Sequence, residues 1–444
     1  MEFAFAGLEA PASIGKLSKI GCYGQYPGNC RRDLLRAHAV LPTLPVPLPI
    51  RVAYAPRTGD VYMPLHMDLD IITPNVMFEA LYRHHGSVFS PAAEELQRFW
   101  DGVARTRDPK LVNHPMLLKE NWRRRAVPLM LHGDGARFTK TTGNTMVTIQ
   151  WSFLLSTGFG WTKIYLIAAF PKSCRAYARV HAADTWDIIW AYVCQGFAAL
   201  FEGTHSAVDP FGDEWPEGSA QRGLAGTPIA DNKFFGVLWC MNPDAEYACN
   251  EWHVQHYSAN ARCHWCPADI TALNFRAVGD TAPWLPHVYA HGTDPPLPNH
   301  PVWRIPGVTR WHYPGDWMHS MDLGAVAYLH NGCVLDLTAA DGPCAGANEE
   351  QRYLDLWNRM QAADRAALHA LRMRRISSKH VKVMGALKAK ANQCKHLAFT
   401  FMHVLRALPD ADNIADTRLR IYELLVEAYI GRGALNGRLL TEGS

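Results

Sequence analysis

Two aspartates stand at the ends of apolar, strand-like runs: Asp134 in Leu131-His-Gly-Asp-Gly135, after Val127-Pro-Leu-Met-Leu131, and Asp244, after Phe234-Phe-Gly-Val-Leu-Trp-Cys-Met241. Carboxylates offered from separate elements are what a pair of hard divalent ions needs, because Mg²⁺ and Mn²⁺ prefer oxygen ligands. Two such ions close together catalyse phosphoryl transfer, one activating the attacking water or 3′-hydroxyl and one stabilising the leaving oxygen. Gly133 and Gly135 leave room for a phosphate or an ion to approach the backbone around Asp134. The plainer reading is an ordinary turn, since Asp-Gly is a common turn dipeptide. Behind Asp244 lies Arg262-Cys-His-Trp-Cys-Pro267, in which Cys263 and Cys266 have the spacing that puts two thiolates on one tetrahedral Zn²⁺. That is half a site. His253 and His256 precede it with a matching spacing and could complete it locally, a more distant pair could do so instead, or the two thiols are simply buried.

The elements that must position these groups follow from periodicity. Val127 to Leu131, Thr145 to Leu155 and Thr162 to Phe170 are apolar, β-branched or aromatic runs separated by turns such as Lys140-Thr-Thr-Gly143, as three antiparallel strands would be. A helix is expected from Asp184, its N-cap, to Phe201, apolar nearly all round and therefore buried against a sheet. Phe234 to Met241 is the fourth strand, so acids leave the first and fourth of four strands. Before this region, Leu41 to Pro49 reads as an extended polyproline-like strap, and Asn75 to His84 and Pro91 to Val103 as amphipathic helices. After it come helical stretches over Glu349 to Leu371, Leu387 to Leu405 and Asp416 to Tyr429.

The 444 residues suffice for two or three domains, and 48% hydrophobic with 19% charged content is globular rather than disordered. A net charge of +3 is compatible with nucleic acid without requiring it. The 11 cysteines are irregularly spaced behind a start that lacks a signal peptide's pattern, so a disulfide scaffold is not expected. No uncharged apolar run reaches the roughly 18 to 20 residues of a membrane span, and a soluble intracellular protein with no membrane partner is expected.

The order strand, strand, strand, helix, strand resembles the ribonuclease H-like fold of retroviral-integrase-like DDE enzymes. The chain further resembles the CACTA branch of eukaryotic DDE transposases and its relatives, including the large subunit of the V(D)J recombinase. Leu131-His-Gly-Asp-Gly135 looks like their first-acid motif, the stretch to Asp244 like their second strand and acid, Cys263-His-Trp-Cys266 like their zinc-binding pair, and Asp316-Trp-Met-His-Ser-Met-Asp-Leu-Gly324 like their Asp-x-Met-His element. The resemblance covers about Arg123 to Asp336, roughly half the chain. It implies an α/β, ribonuclease H-like mixed sheet over 121–345 with a zinc-binding insertion at about 250–315. An N-terminal mixed region, 1–120, and a helical C-terminal region, 346–444, flank it.

The family glutamate is replaced here by Met321, with Asp322 beside it. The third acid is then Asp322, with Asp316 as alternative and Glu349 or Glu350 behind them; on one helix, Asp316 and Asp322 cannot share a face. His312 and His319 are the distant zinc ligands the resemblance suggests. The implied activity is metal-dependent DNA cleavage and strand transfer with Mg²⁺ or Mn²⁺, structural Zn²⁺, double-stranded DNA as partner, a nuclear site of action and room for a homodimer. The alternatives are a non-mobile nuclease of this fold and a zinc-stapled DNA- or protein-binding module without catalysis. Arg123, Arg124 and Arg125, and the acid-free segment Arg372 to Lys395 with Arg374, Arg375, Lys379 and Lys382, are the candidate phosphate contacts.

Overall fold

The computed structural model describes residues 45, 47–54, 65–86, 92–137, 145–155, 164–177, 184–255, 263–269, 271, 273, 281–288, 297–315, 322, 325–366, 376–381, 386, 387, 389, 391–408 and 413–435. The chain is mixed α/β and divides into two compact units, Met1–Pro314 and Gly315–Ser444. One hydrophobic core runs from Leu48 to Tyr313 without a break at residue 120.

The first unit opens with a strand pair that periodicity did not reveal, β1 (Leu48–Tyr54) antiparallel to β2 (Leu65–Ile71). The expected Pro-rich strap therefore ends inside a strand; of its remaining residues only 45 and 47 are among those described. Helices α1 (Pro74–His84) and α2 (Ala93–Arg105) follow where their apolar spacing put them. A single turn, α3 (Trp122–Arg125), leads into β3 (Ala126–Arg137). Strands β4 (Thr145–Phe153) and β5 (Tyr165–Pro171) complete the antiparallel run. Helix α4 (Thr185–Glu202) is capped by the Asp184 carboxylate, which accepts the Trp186 N–H at 2.8 Å. After the short α5 (Ala220–Leu224) comes β6 (Phe235–Met241), then α6 (Ala245–Glu251).

The four-stranded sheet has the order β5-β4-β3-β6, with β3 antiparallel to β4 and parallel to β6. A parallel partner requires a crossover, and α4 supplies it, burying Trp186, Ile189, Trp190, Val193 and Phe197. Its approach is close because residue 236 is glycine: a Cβ there would stand 2.8 Å from Leu129 Cδ1 and 3.1 Å from Leu200 Cβ. Residues 250–315 carry short 3₁₀ turns, among them Pro301–Arg304 and Arg310–His312.

The second unit is helical: α7 (Val326–Leu337), α8 (Glu349–Ala366), α9 (Ala391–Arg406) and α10 (Asn413–Leu435). Its core gathers Leu356, Met360, Leu397, Phe401, Tyr422 and Tyr429. His330 is buried within it, its ring nitrogens 2.9 Å from the Tyr422 hydroxyl and 2.8 Å from the Cys394 carbonyl. Among the described residues no helix is long and apolar enough to cross a membrane.

Candidate active site

Strands β3 and β6 run side by side, pairing Met130 with Cys240 and Leu131 with Met241. The contact continues beyond β6. Asn242 donates its N–H to Leu131 O at 2.8 Å, and His132 Nδ1–H donates to Asn242 O. The ladder ends there: Asp134, inside β3, and Asp244, beyond β6, each lie three residues past the last paired residues. Asp244 is still extended, with φ −68° and ψ 164°, and its carboxylate caps α6 by accepting the Tyr247 N–H. Both carboxylates are half-buried rather than sealed.

Tyr247 joins the two strand ends. Its ring lies over Gly133, so close that a Cβ at residue 133 would stand 2.3 Å from ring carbons Cε1 and Cζ. Burial, the charge of Glu251 and then the charges of Asp244 and Asp134 push its phenol pKa well above the usual value, against Arg175. Both aspartates are thus electrostatic neighbours of one ring. Asp134 pairs with Thr148 across the β3–β4 ladder, and the Thr148 hydroxyl, 3.4 Å from Asp134 O, accepts from Gln150 Nε2 at 2.9 Å.

The far end of α6 is clamped by a buried ion cluster that the sequence did not signal. Arg175 grips Asp184 with two N–H···O contacts of 3.1 Å and reaches Glu251 at 2.6 Å. Burial opposes the guanidinium charge, but Glu251 and Asp184 outweigh it and raise the Arg175 pKa; burial likewise raises that of Glu251. The cluster ties the end of the helix that Asp244 caps to the start of α4.

The cysteine pair forms a compact knuckle. Trp265 N–H donates to Cys263 Sγ at 3.3 Å. Burial and the contact with Cys263 push the Cys266 thiol up to about 11, the Ala268 N–H acting in the opposite sense. Arg310, another residue the sequence left unmarked, holds the knuckle: Nη1 donates to His264 O at 2.7 Å and His264 Nε2 lies 3.2 Å from Arg310 O. The knuckle therefore sits against the turn that ends in His312. His312 is fully buried with Nδ1 3.0 Å from Thr309 N, 3.2 Å from Thr309 Oγ1 and 3.3 Å from Thr309 O. The Thr309 N–H donates to Nδ1, so Nδ1 is the acceptor and the ring proton lies on Nε2. Among the described residues, however, no three His, Cys, Asp or Glu side chains converge as a metal group, so His312 is not gathered with the two cysteines. His319 and His256 lie outside the described residues, and His253 turns to Asn299 O at 3.3 Å.

Asp322, the residue expected as a third acid, belongs to the second unit. Asp322 is 8% exposed and accepts the Tyr429 hydroxyl hydrogen, a contact within the helical core; Asp316 lies outside the described residues, and Glu349 and Glu350 are exposed on the first turn of α8. Of the basic segment, Lys379 is exposed on the turn Ser378–His380, while Arg374, Arg375 and Lys382 lie outside the described residues. The arginines before β3 make exposed contacts within the chain: Arg123 with Asp101 at 3.2 Å, Arg124 with Glu94 at 2.5 Å, and Arg125 with the Asn232 carbonyl at 2.6 Å.

The donor sets fit the metals their chemistry suggests. Asp134 offers hard oxygens from within β3 and Asp244 from the cap of α6, and Cys263 and Cys266 offer two soft sulfurs. No protein-family model and no curated protein matches this chain, so its functional reading rests on these residues.

Proposed function

We propose that the chain is a DDE-type DNA transposase, or a domesticated descendant of one, acting on double-stranded DNA through a ribonuclease H-like core. The observation that supports this reading is the sheet order β5-β4-β3-β6, in which β3 carries Asp134 and its parallel neighbour β6 leads, three residues on, to Asp244, each aspartate three residues beyond the last β3–β6 pair, Leu131 with Met241. Asp134 would hold a divalent ion from the sheet and Asp244 from the cap of α6. When bound, such ions activate the attacking water or 3′-hydroxyl and stabilise the leaving oxygen. The chain's own contribution is positioning: the ladder fixes Asp134, while Tyr247 and the Arg175 cluster fix the helix that Asp244 caps. Cys263 and Cys266 would share a structural Zn²⁺ with further ligands; of the expected histidine pair, His319 lies outside the described residues and His312 is not gathered with the cysteines. Lys379 and the neighbouring Arg374, Arg375 and Lys382 would neutralise phosphates along the DNA.

A second reading, a zinc-stapled binding module without catalysis, is favoured by one observation: Asp322 spends its carboxylate on Tyr429. Cleavage of duplex DNA in Mg²⁺ or Mn²⁺ separates the two. The transposase reading expects metal-dependent nicking and strand transfer, lost in Asp134→Asn and in Asp244→Asn, by protein that carries zinc. Folded, zinc-loaded protein that binds DNA and cuts no duplex or transposon-end substrate would transfer the case to the binding module.

A further inference from the structure

We infer that Tyr247 is a positioning residue that sets the separation of the Asp134 and Asp244 carboxylates, its ring occupying a notch in β3 that exists only because residue 133 is glycine. The inference rests on the reading of these carboxylates as a divalent-ion site. Three contacts carry it. The ring packs where a Cβ on residue 133 would be only 2.3 Å from two of its carbons, so helix and strand meet at the limit of approach. Behind it stands the fully buried Trp252, edge-on with ring centroids 5.7 Å apart, which bars the ring from retreating alone. The backbone N–H of the same residue donates to the Asp244 carboxylate, so a displacement of Tyr247 moves a hydrogen-bond donor of that acid directly.

Gly133 is in turn the residue immediately before Asp134. The contact therefore fixes the β3 backbone next to Asp134 against the residue whose N–H binds Asp244, while Arg175 holds Glu251 at the opposite end of α6. The Tyr247 hydroxyl is buried with no hydrogen-bond partner among the described residues. Ring volume, not the hydroxyl, is what acts.

The test is Mn²⁺ binding by the full-length chain, followed by titration calorimetry, with thermal unfolding recorded on the same samples. Gly133→Ala should weaken Mn²⁺ binding by about tenfold or more, as loss of a residue that orients a metal ligand does. Tyr247→Phe keeps the ring and should bind as the unmodified chain does, whereas Tyr247→Ala should not. In the double variant Gly133→Ala/Tyr247→Ala the added methyl has nothing to strike, so its loss should be clearly smaller than the product of the two single losses. A folded Gly133→Ala protein with unchanged Mn²⁺ affinity, or losses that simply multiply, overturns the inference. Should Gly133→Ala not fold, equal affinity of Tyr247→Ala and Tyr247→Phe overturns it alone. Unmodified chain that binds no Mn²⁺ refutes the ion site itself, and the inference with it; unmodified chain that binds while the variants are indistinguishable from it refutes the inference only.

Discussion

Two pairs of acids lie at the two ends of α6 and are treated in opposite ways. Asp184 and Glu251, at its far end, are 8% and 5% exposed and close on the Arg175 guanidinium. Asp134 and Asp244, at its near end, stay half-buried, within reach of solvent. A sealed carboxylate has to bring its own cation into the fold, because an unpaired buried charge is prohibitively costly. A pair meant to take an ion from solution has to remain accessible. The comparison separates acids sealed around a guanidinium from acids that stay partly open to solvent at the other end of the same short helix.

The most damaging way to break this comparison is to remove the cation of the sealed pair. Arg175→Met leaves two buried carboxylates without a counter-charge and should cost about 3 to 5 kcal/mol in urea unfolding; a loss under about 1 kcal/mol would mean that water already reaches them. A smaller effect comes from acid. His300, packed against Trp190 near the same cluster, is held down to about 3 by burial and then by the charges of His253, Arg175 and Arg304. A histidine whose folded pKa is depressed contributes stability at neutral pH that is lost as pH falls below its unfolded value near 6.5. Between pH 7.5 and pH 5 this amounts to about 2 kcal/mol. His300→Asn, which can still accept the Val302 N–H, should flatten that part of the profile, and an unchanged slope would place the dependence elsewhere.

Asp322 offers the smallest and most informative case. Its burial and its bond to Tyr429 group it with the sealed acids, so Tyr429→Phe should destabilise the chain by about 1.5 kcal/mol. If the variant instead leaves stability untouched and changes divalent-ion binding, Asp322 belongs with the open pair.

How much of this was legible in the sequence differs by kind of contact. Strands β3 to β6 and helix α4 announce themselves, because a half-buried strand and a buried helix impose periods of two and of 3.6 residues on the apolar positions. The Asp184 cap and the acids at the ends of β3 and β6 follow from the same segments. The β1–β2 pair does not, since β2 is Leu-His-Met-Asp-Leu-Asp-Ile with four of its residues exposed, and its identity depends on a partner strand. Tyr247 in the notch of Gly133 was hidden for a related reason: a glycine next to an aspartate reads as a turn, and only the folded helix reveals what fills the space. Arg175 and Arg310 left no local signal, because Arg175 joins Asp184, 9 residues on, to Glu251, 76 residues on, and Arg310 meets a carbonyl 46 residues away. Of the expected zinc set, Cys263 and Cys266 lie in contact while His312 is not gathered with them, and the arginines before β3 make exposed contacts with Asp101, Glu94 and the Asn232 carbonyl.

The central claim, that Asp134 and Asp244 form one ion site, is tested most directly by measuring Mn²⁺ affinity in Asp134→Asn, Asp244→Asn and the double variant. Asn caps helices about as well as Asp, so Asp244→Asn should leave thermal stability nearly unchanged while removing the charge that holds the ion. The account predicts that each single substitution abolishes high-affinity Mn²⁺ binding in folded protein and that the double variant is no worse, as expected when both acids serve the same ion. Binding that survives either substitution, or two losses that combine independently, would contradict it.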